Sequence, residues 1–128
     1  MKGEVLIIDD DRTICLIHKY LLKAVHSKEP SYYTDAQQAL ELIGKKPDAH
    51  HFLIYLDINM PKINGWDFLK KIETLENTSR FKIILVTSSV DEVDKKRAEK
   101  FDLVEAYIEK PLNKYKINSL KKSIEQFL

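Results

Sequence analysis

Four short apolar runs in this 128-residue chain each end on a residue that phosphoryl or metal chemistry can use. VLII runs into Asp9, Asp10 and Asp11, FLIYL into Asp57, KIILV into Thr87, and AYIE into Lys110. Laid side by side as parallel strands, these runs bring carboxylates, a hydroxyl and an ammonium to one rim, and open α/β sheets bind ligands at that carboxyl edge. Such a set suits a divalent cation and a phosphoryl group. Carboxylates this close raise one another's pKa unless a cation intervenes, so the clustering itself implies one.

The elements that must position these residues are legible in the hydrophobic periodicity. Short β-rich runs at residues 4–8, 31–34, 51–56, 82–86 and 104–108 alternate with segments of helical spacing, in the order βα five times. In the first helix, residues 12–25, Ile14, Ile17, Leu21 and Val25 mark one face; in the last, residues 112–127, Ile117, Leu120, Ile124 and Phe127 do so. Asp35 suits the cap of the second helix, Asn64 with Asp67 that of the third, and Ser89 with Glu92 a capping box for the fourth. The spacing of Phe68, Leu69, Ile72 and Leu75 makes Asn64-Gly65 a helix start, not a hairpin turn. The central runs are apolar on both faces, as strands covered by helices on each side require, and right-handed crossovers restrict the topology. The fold class is therefore α/β, a (βα)5 doubly wound parallel five-stranded sheet. The flavodoxin-like order 2-1-3-4-5 sets Asp9 and Asp10 beside Asp57 and leaves Asp35 outside the crevice.

Composition narrows the function classes. With 44% hydrophobic residues the chain builds one core, so residues 1–128 read as a single domain. Net charge is +1 from 21 basic and 20 acidic residues, which provides no field for direct nucleic-acid binding. The lone Cys15 excludes an internal disulfide and a Cys-based zinc site and reads as a core thiol. No signal-peptide core and no apolar stretch near the ~18 residues of a membrane helix is present, so the expectation is a cytoplasmic protein without membrane insertion.

Each candidate has an ordinary structural reading beside the chemical one. An acidic triplet before a helix is commonly a solvated cap with favourable dipole placement, and Asp11, at the helix start, keeps that reading. Asp57 resists it, because a carboxylate directly after five apolar residues is costly to desolvate without water, a partner or a metal. Thr87 alone reads as a strand terminus and Lys110 before Pro111 as an extended residue. His18, His26, His50 and His51 have no metal-ligand spacing with a carboxylate and read as surface or core histidines.

IIDDDR, LDINMPKINGWDFL, VTSS and YIEKP, taken together and in order, resemble the signature set of bacterial response-regulator receiver domains, in particular the free-standing chemotaxis type without an effector domain. The resemblance spans nearly the whole chain. It implies a phosphorelay signal receiver, not a true enzyme, that assists its own phosphorylation and dephosphorylation. Asp57 would be the phosphoacceptor. Asp10, Asp57 and the Asn59 backbone carbonyl would bind Mg²⁺ (or Mn²⁺), with Asp9 acting through water. Thr87 and Lys110 would contact the phosphoryl oxygens, and Lys110-Pro111 would be a cis bond. It further implies a switch from Thr87 to Tyr107, whose ring turns toward the sheet, and an output surface of the fourth helix, fifth strand and fifth helix. Eight of the ten residues from Asp91 to Lys100 are charged, leaving Val90, Val93, Ala98 and Phe101 to anchor that fourth helix. The implied partners are a sensor histidine kinase or histidine phosphotransfer protein and an output protein that the sequence does not identify. Two other classes compete: a haloacid-dehalogenase-like aspartyl phosphatase, whose second acid is Asn59 here, and a flavodoxin-like binding module, whose Thr/Ser/Gly phosphate loop is missing.

Overall fold

A computed structural model describes residues 2–124 of the chain. Five strands, β1 (Gly3–Ile8), β2 (Ser31–Tyr33), β3 (His51–Leu56), β4 (Phe81–Thr87) and β5 (Val104–Glu109), form one parallel sheet in the order β2-β1-β3-β4-β5. The helices between and after them are α1 (Arg12–Lys23), α2 (Ala36–Lys45), α3 (Gly65–Glu73), α4 (Glu92–Ala98) and α5 (Lys114–Ile124). Alternation along the strands divides the core in two. Leu6, Ile8, Ile54 and Leu56 face a layer completed by α2 and α3, while Val5, Ile7, Leu53 and Tyr55 face one completed by α1 and α5. Both faces of β1 and β3 are buried, so neither strand tolerates a one-residue slip, and their carboxyl ends are held in register, Ile8 opposite Leu56.

The doubly wound architecture and strand order agree with the sequence reading, and local details correct parts of it. The buried stripe of α1 is Cys15, His18 and Leu22, whereas Ile17 is half exposed and Ile14, Leu21 and Val25 only flank the core. Hydropathy misled here because a Cys and a His occupy the inward positions while stronger hydrophobes, Leu16 and Ile17, face out. Asp35 caps α2 through the Gln37 N–H, and Asn64 and Asp67 form a reciprocal capping box on α3, as expected. The cap of α4 is Asp91, not Ser89: its carboxylate accepts from the Val93 N–H at 2.9 Å. A carboxylate one residue before the first helical turn outcompetes a hydroxyl two residues further out. In α5, Ile117 and Ile124 are buried and Leu120 partly so, as read; Phe127 lies outside the described residues.

His26 and Tyr55 illustrate how the second core layer handles polar groups. The Tyr55 hydroxyl lies 2.8 Å from Nε2 of His26. Burial holds the His26 imidazole below its ordinary pKa of 6.5 and pushes the Tyr55 phenol up. His26 is thus neutral in the fold, whereas the unfolded chain protonates it below about pH 6.5. The unfolded state binds the extra proton, so stability falls as pH drops from about 6.5 toward the lowered folded value. His26→Asn is expected to flatten this part of the profile. Urea midpoints at about pH 7.5 and about pH 5.5 measure it; a pH difference identical to the wild type would show that His26 contributes nothing.

Candidate functional site

Asp9 and Asp57 are the first residues beyond β1 and β3, and the backbone ladder continues through both. The Asp57 N–H donates to the Ile8 carbonyl at 2.9 Å and the Asp9 N–H to the Tyr33 carbonyl at 3.2 Å. The two carboxylates are 2% and 6% exposed, which is unusual for paired like charges and explains why a cation sits between them. Nζ of Lys110, the residue after β5, lies 2.7 Å from Oδ2 of Asp9 and 3.3 Å from Oδ2 of Asp57. The Lys110 N–H donates to the Thr87 carbonyl at 2.8 Å, and the Lys110-Pro111 bond is cis, as expected. Burial raises the Asp57 pKa and the charge of Asp9 adds to it, against the opposing pull of Lys110 and of the Asn59 N–H. For Lys110 burial works against the ammonium, but its bond to Asp9 and the charges of Asp57 and Asp9 prevail and hold the pKa above its ordinary value. One carboxylate oxygen each from Asp9, Asp10 and Asp57 lie within 4.8 Å of one another. That is a compact set of hard oxygen donors facing solvent through the exposed Asp10, which fits a divalent cation that keeps several waters.

The remaining candidates surround this acidic cup. Asn59 is exposed, and its backbone N–H donates to Oδ1 of Asp57 at 3.2 Å, which turns the β3–α3 loop over the carboxylate. Thr87, fully buried at the end of β4, uses its hydroxyl oxygen to accept from the Ser89 N–H at 3.3 Å. Tyr107 on β5 is partly buried against the core, and its hydroxyl donates to the Ser89 carbonyl at 3.0 Å. Ser89 also donates through Oγ to Asp94 of α4 at 2.6 Å. The loop between β4 and α4 is therefore tied to Thr87, to β5 and to α4 through one residue. Helix α4 is held less by apolar burial than its sequence promised: Val90 and Val93 are 59% and 70% exposed, and Ala98 with Phe101 alone are buried. Phe101 stacks on Trp66 of α3 with ring centroids 5.8 Å apart, and the Arg97 guanidinium lies over the same indole at 4.6 Å.

A parallel sheet in this order, with a buried aspartate, two neighbouring acids and a lysine at its carboxyl edge, agrees with a family profile described as response regulator receiver domain, which matches residues 5–122. The chain belongs to that family. It is 32% identical over 97 residues to a probable chemotaxis protein CheY of Rhizobium etli, covering 76% of this chain and 73% of the relative. It is also 32% identical over 111 residues to the transcriptional regulatory protein CpxR of Escherichia coli, covering 87% of this chain but only 44% of that longer protein. Among solved structures, a two-component response regulator from Cytophaga hutchinsonii superposes with a TM-score of 0.81 at 28% identity, over 98% of this chain and 99% of the other. Receivers of two-component systems are signal receivers, and phosphorylation on an aspartate with Mg²⁺ is the general function of the family. Neither the phosphatase nor the flavodoxin-like reading finds support in these relatives. Among the described residues no helix is long and apolar enough to cross a membrane.

Two features of this receiver's site lay outside the sequence reading. The Ser89–Asp94 bond is hidden by the reading of Ser89 as a helix cap; its one signal is a Ser with an acid five residues on. The role of Gly65 was hidden behind that of a helix start. Its N–H donates to the Ile58 carbonyl at 2.8 Å, and a Cβ built on it would stand 2.6 Å from the Asp57 carbonyl oxygen.

Proposed function

We propose that Asp57 is the phosphoacceptor of this receiver. An Asp57 Oδ attacks the phosphorus of a phosphohistidine, the P–N bond breaks and leaves its electrons on the imidazole, and the new P–O bond makes an acyl phosphate. The observation that carries the reading is a buried Asp57 at the end of β3 with Asp9, Asp10 and Lys110 gathered around it. Asp10 and Asp57 supply carboxylate oxygens for Mg²⁺, Asn59 its backbone carbonyl, and Asp9 acts through water; Mn²⁺ suits the same oxygens. When bound, the metal supplies positive charge that offsets the acid cluster and the incoming phosphoryl oxygens. Lys110 then pairs with a phosphoryl oxygen and Thr87, whose hydroxyl oxygen accepts from the Ser89 N–H, donates its O–H to another. The same groups assist the receiver's own phosphorylation and its later hydrolysis. Residues 1–128 act as one receiver domain in the cytoplasm, charged by a sensor histidine kinase or a histidine phosphotransfer protein. A small phosphodonor is expected to add one phosphoryl group in intact-mass spectra only when a divalent metal is present. Equal labelling in excess chelator would remove the metal from the reading.

The contacts of Ser89 support a switch that runs from Thr87 to Tyr107. If the Thr87 hydroxyl turns to the phosphoryl group, the loop it now braces is free to shift, and Tyr107 and Asp94 are both bonded to that loop. The output partner accordingly reads the face made by α4, β5 and α5, where α4 has little apolar anchoring to resist displacement. Thr87→Ala is expected to leave phosphorylation of Asp57 possible while removing most of the amide shifts that an acyl-phosphate mimic induces near Tyr107 and in residues 91–100. Wild-type shifts confined to the loops around Asp57 would sink this route.

A further inference from the structure

At the amino ends of the strands, opposite the phosphoryl site, a buried cation lacks a counter-charge. Arg80 closes a 3₁₀ turn, Thr78–Arg80, and is 4% exposed. Its Nη1 donates to the Pro47 carbonyl at a long 3.3 Å, and its guanidinium lies over the Phe81 ring at 4.6 Å. Nε is buried without any hydrogen-bond partner, and among the described residues no carboxylate pairs with the group. A guanidinium cannot shed its proton, and a buried charge left uncompensated is costly. Close by, burial holds the His51 imidazole below its ordinary pKa, and the charges of His50 and Arg80 push in the same direction.

Arg80 forms part of the wall of a cavity of about 450 Å³ between α2 and α3, within the range of about 300–1,000 Å³ common for small-molecule pockets. Lys46 and Lys71 add cationic walls, and Leu40, Ile43 and Leu75 an apolar one. Lys46 is already 3.5 Å from Glu4, while Lys71 has no ion pair among the described residues. We propose that this pocket binds a small monoanionic organic carboxylate, its oxygens on Arg80 and Lys71 and its hydrocarbon part against Leu40, Ile43 and Leu75. A guanidinium fork matches a carboxylate in bidentate geometry. The apolar wall gives a hydrocarbon body something to bury against, which inorganic phosphate cannot use. Asp48 and Glu76 also line the cavity and, pairing with neither Arg80 nor Lys71, repel a dianion more than a monoanion. The site is independent of the role given to Asp57.

The test is an NMR titration of the whole chain with three probes: benzoate, benzyl alcohol and inorganic phosphate. Benzoate is expected to shift the Arg80 Nε–Hε resonance and the methyls of Leu40, Ile43 and Leu75 together and saturably. Benzyl alcohol and phosphate should each bind at least about tenfold more weakly, as loss of a charge-assisted hydrogen bond or of apolar burial predicts. Arg80→Lys keeps the charge, loses the fork and should weaken benzoate about tenfold, and Lys71→Gln about two- to fivefold. No saturable benzoate response at Arg80, equal binding of benzyl alcohol, or equal binding of phosphate would each overturn the proposal. Should Arg80→Lys fail to fold, the exposed Lys71→Gln and the three wild-type titrations still decide; wild-type affinity in Lys71→Gln would count against the site.

Discussion

Asp57→Asn is expected to gain no mass from a small phosphodonor, with or without Mg²⁺, and to lose all phosphohistidine-dependent labelling. Asn keeps the shape of the side chain and an oxygen able to accept the Asn59 N–H, but its amide is no nucleophile toward phosphorus and contributes no charge to a metal. The loss is therefore chemical, and stability shows it. Burial is the leading reason that the Asp57 pKa is raised, followed by the charge of Asp9 against the pull of Lys110. An acid whose folded pKa is raised costs stability once pH exceeds its unfolded value, since the fold then disfavours the ionised form relative to the unfolded chain. The uncharged variant should be no less stable than the wild type in urea at neutral pH, with Lys110 still paired to Asp9 at 2.7 Å. Labelling retained in Asp57→Asn would move the acceptor to another acid, with Asp9 and Asp10 first in line.

These acids are legible in the sequence because of strand geometry. In a parallel sheet every strand ends on the same rim, so a chemical residue placed immediately after an apolar run has its position fixed by the run alone. Asp9, Asp57, Thr87 and Lys110 all stand at such ends, and the contacts of Lys110 with Asp9 and Asp57 follow from the order β2-β1-β3-β4-β5. Helix faces were less legible. The inward stripe of α1 uses Cys15 and His18, residues whose burial depends on what the sheet offers them, and hydropathy prefers the exposed Leu16 and Ile17. The fourth helix is obscured for the opposite reason: its Val93 and the preceding loop's Val90 are outside, and the aromatic ring that meets Phe101, Trp66, comes from another element. Contacts of this kind depend on how helices pack across a face, which periodicity within one helix does not encode. Arg80 is a third case. A basic residue in a polar stretch reads as solvated loop, and only the packing of α2 and α3 over the strand ends buries it.

Gly65→Ala is expected to destabilise the fold by about 3 kcal/mol and to slow phosphorylation of Asp57 severely, an effect out of proportion to one methyl group. Asn64 caps α3, and the next residue must bring its N–H to the Ile58 carbonyl at 2.8 Å, so the start of the helix lies directly against the segment that carries the acceptor. A Cβ at this position would stand 2.6 Å from the Asp57 carbonyl oxygen and 2.7 Å from Cα of Ile58. Both are backbone atoms, and neither can turn aside as a flexible side chain would. Inserting atoms into packed structure costs about 1–3 kcal/mol, and a clash with main chain on the buried side belongs at the upper end. Relief requires either α3 to back away, which breaks the hydrogen bond to Ile58, or the Asp57 peptide to move, which displaces the carboxylate from Asp9, Asp10 and Lys110. Stability suffers most by the first route and phosphorylation most by the second. Gly44→Ala provides the control: it lies in α2 with nothing within 4 Å of its would-be Cβ, so it should gain about 0.5–1 kcal/mol from helix propensity. Urea midpoints and labelling rates of the two variants, measured side by side, separate a backbone clash at the acceptor from a general cost of replacing glycine. Wild-type stability in Gly65→Ala would mean that α3 does not rest on the Asp57 backbone.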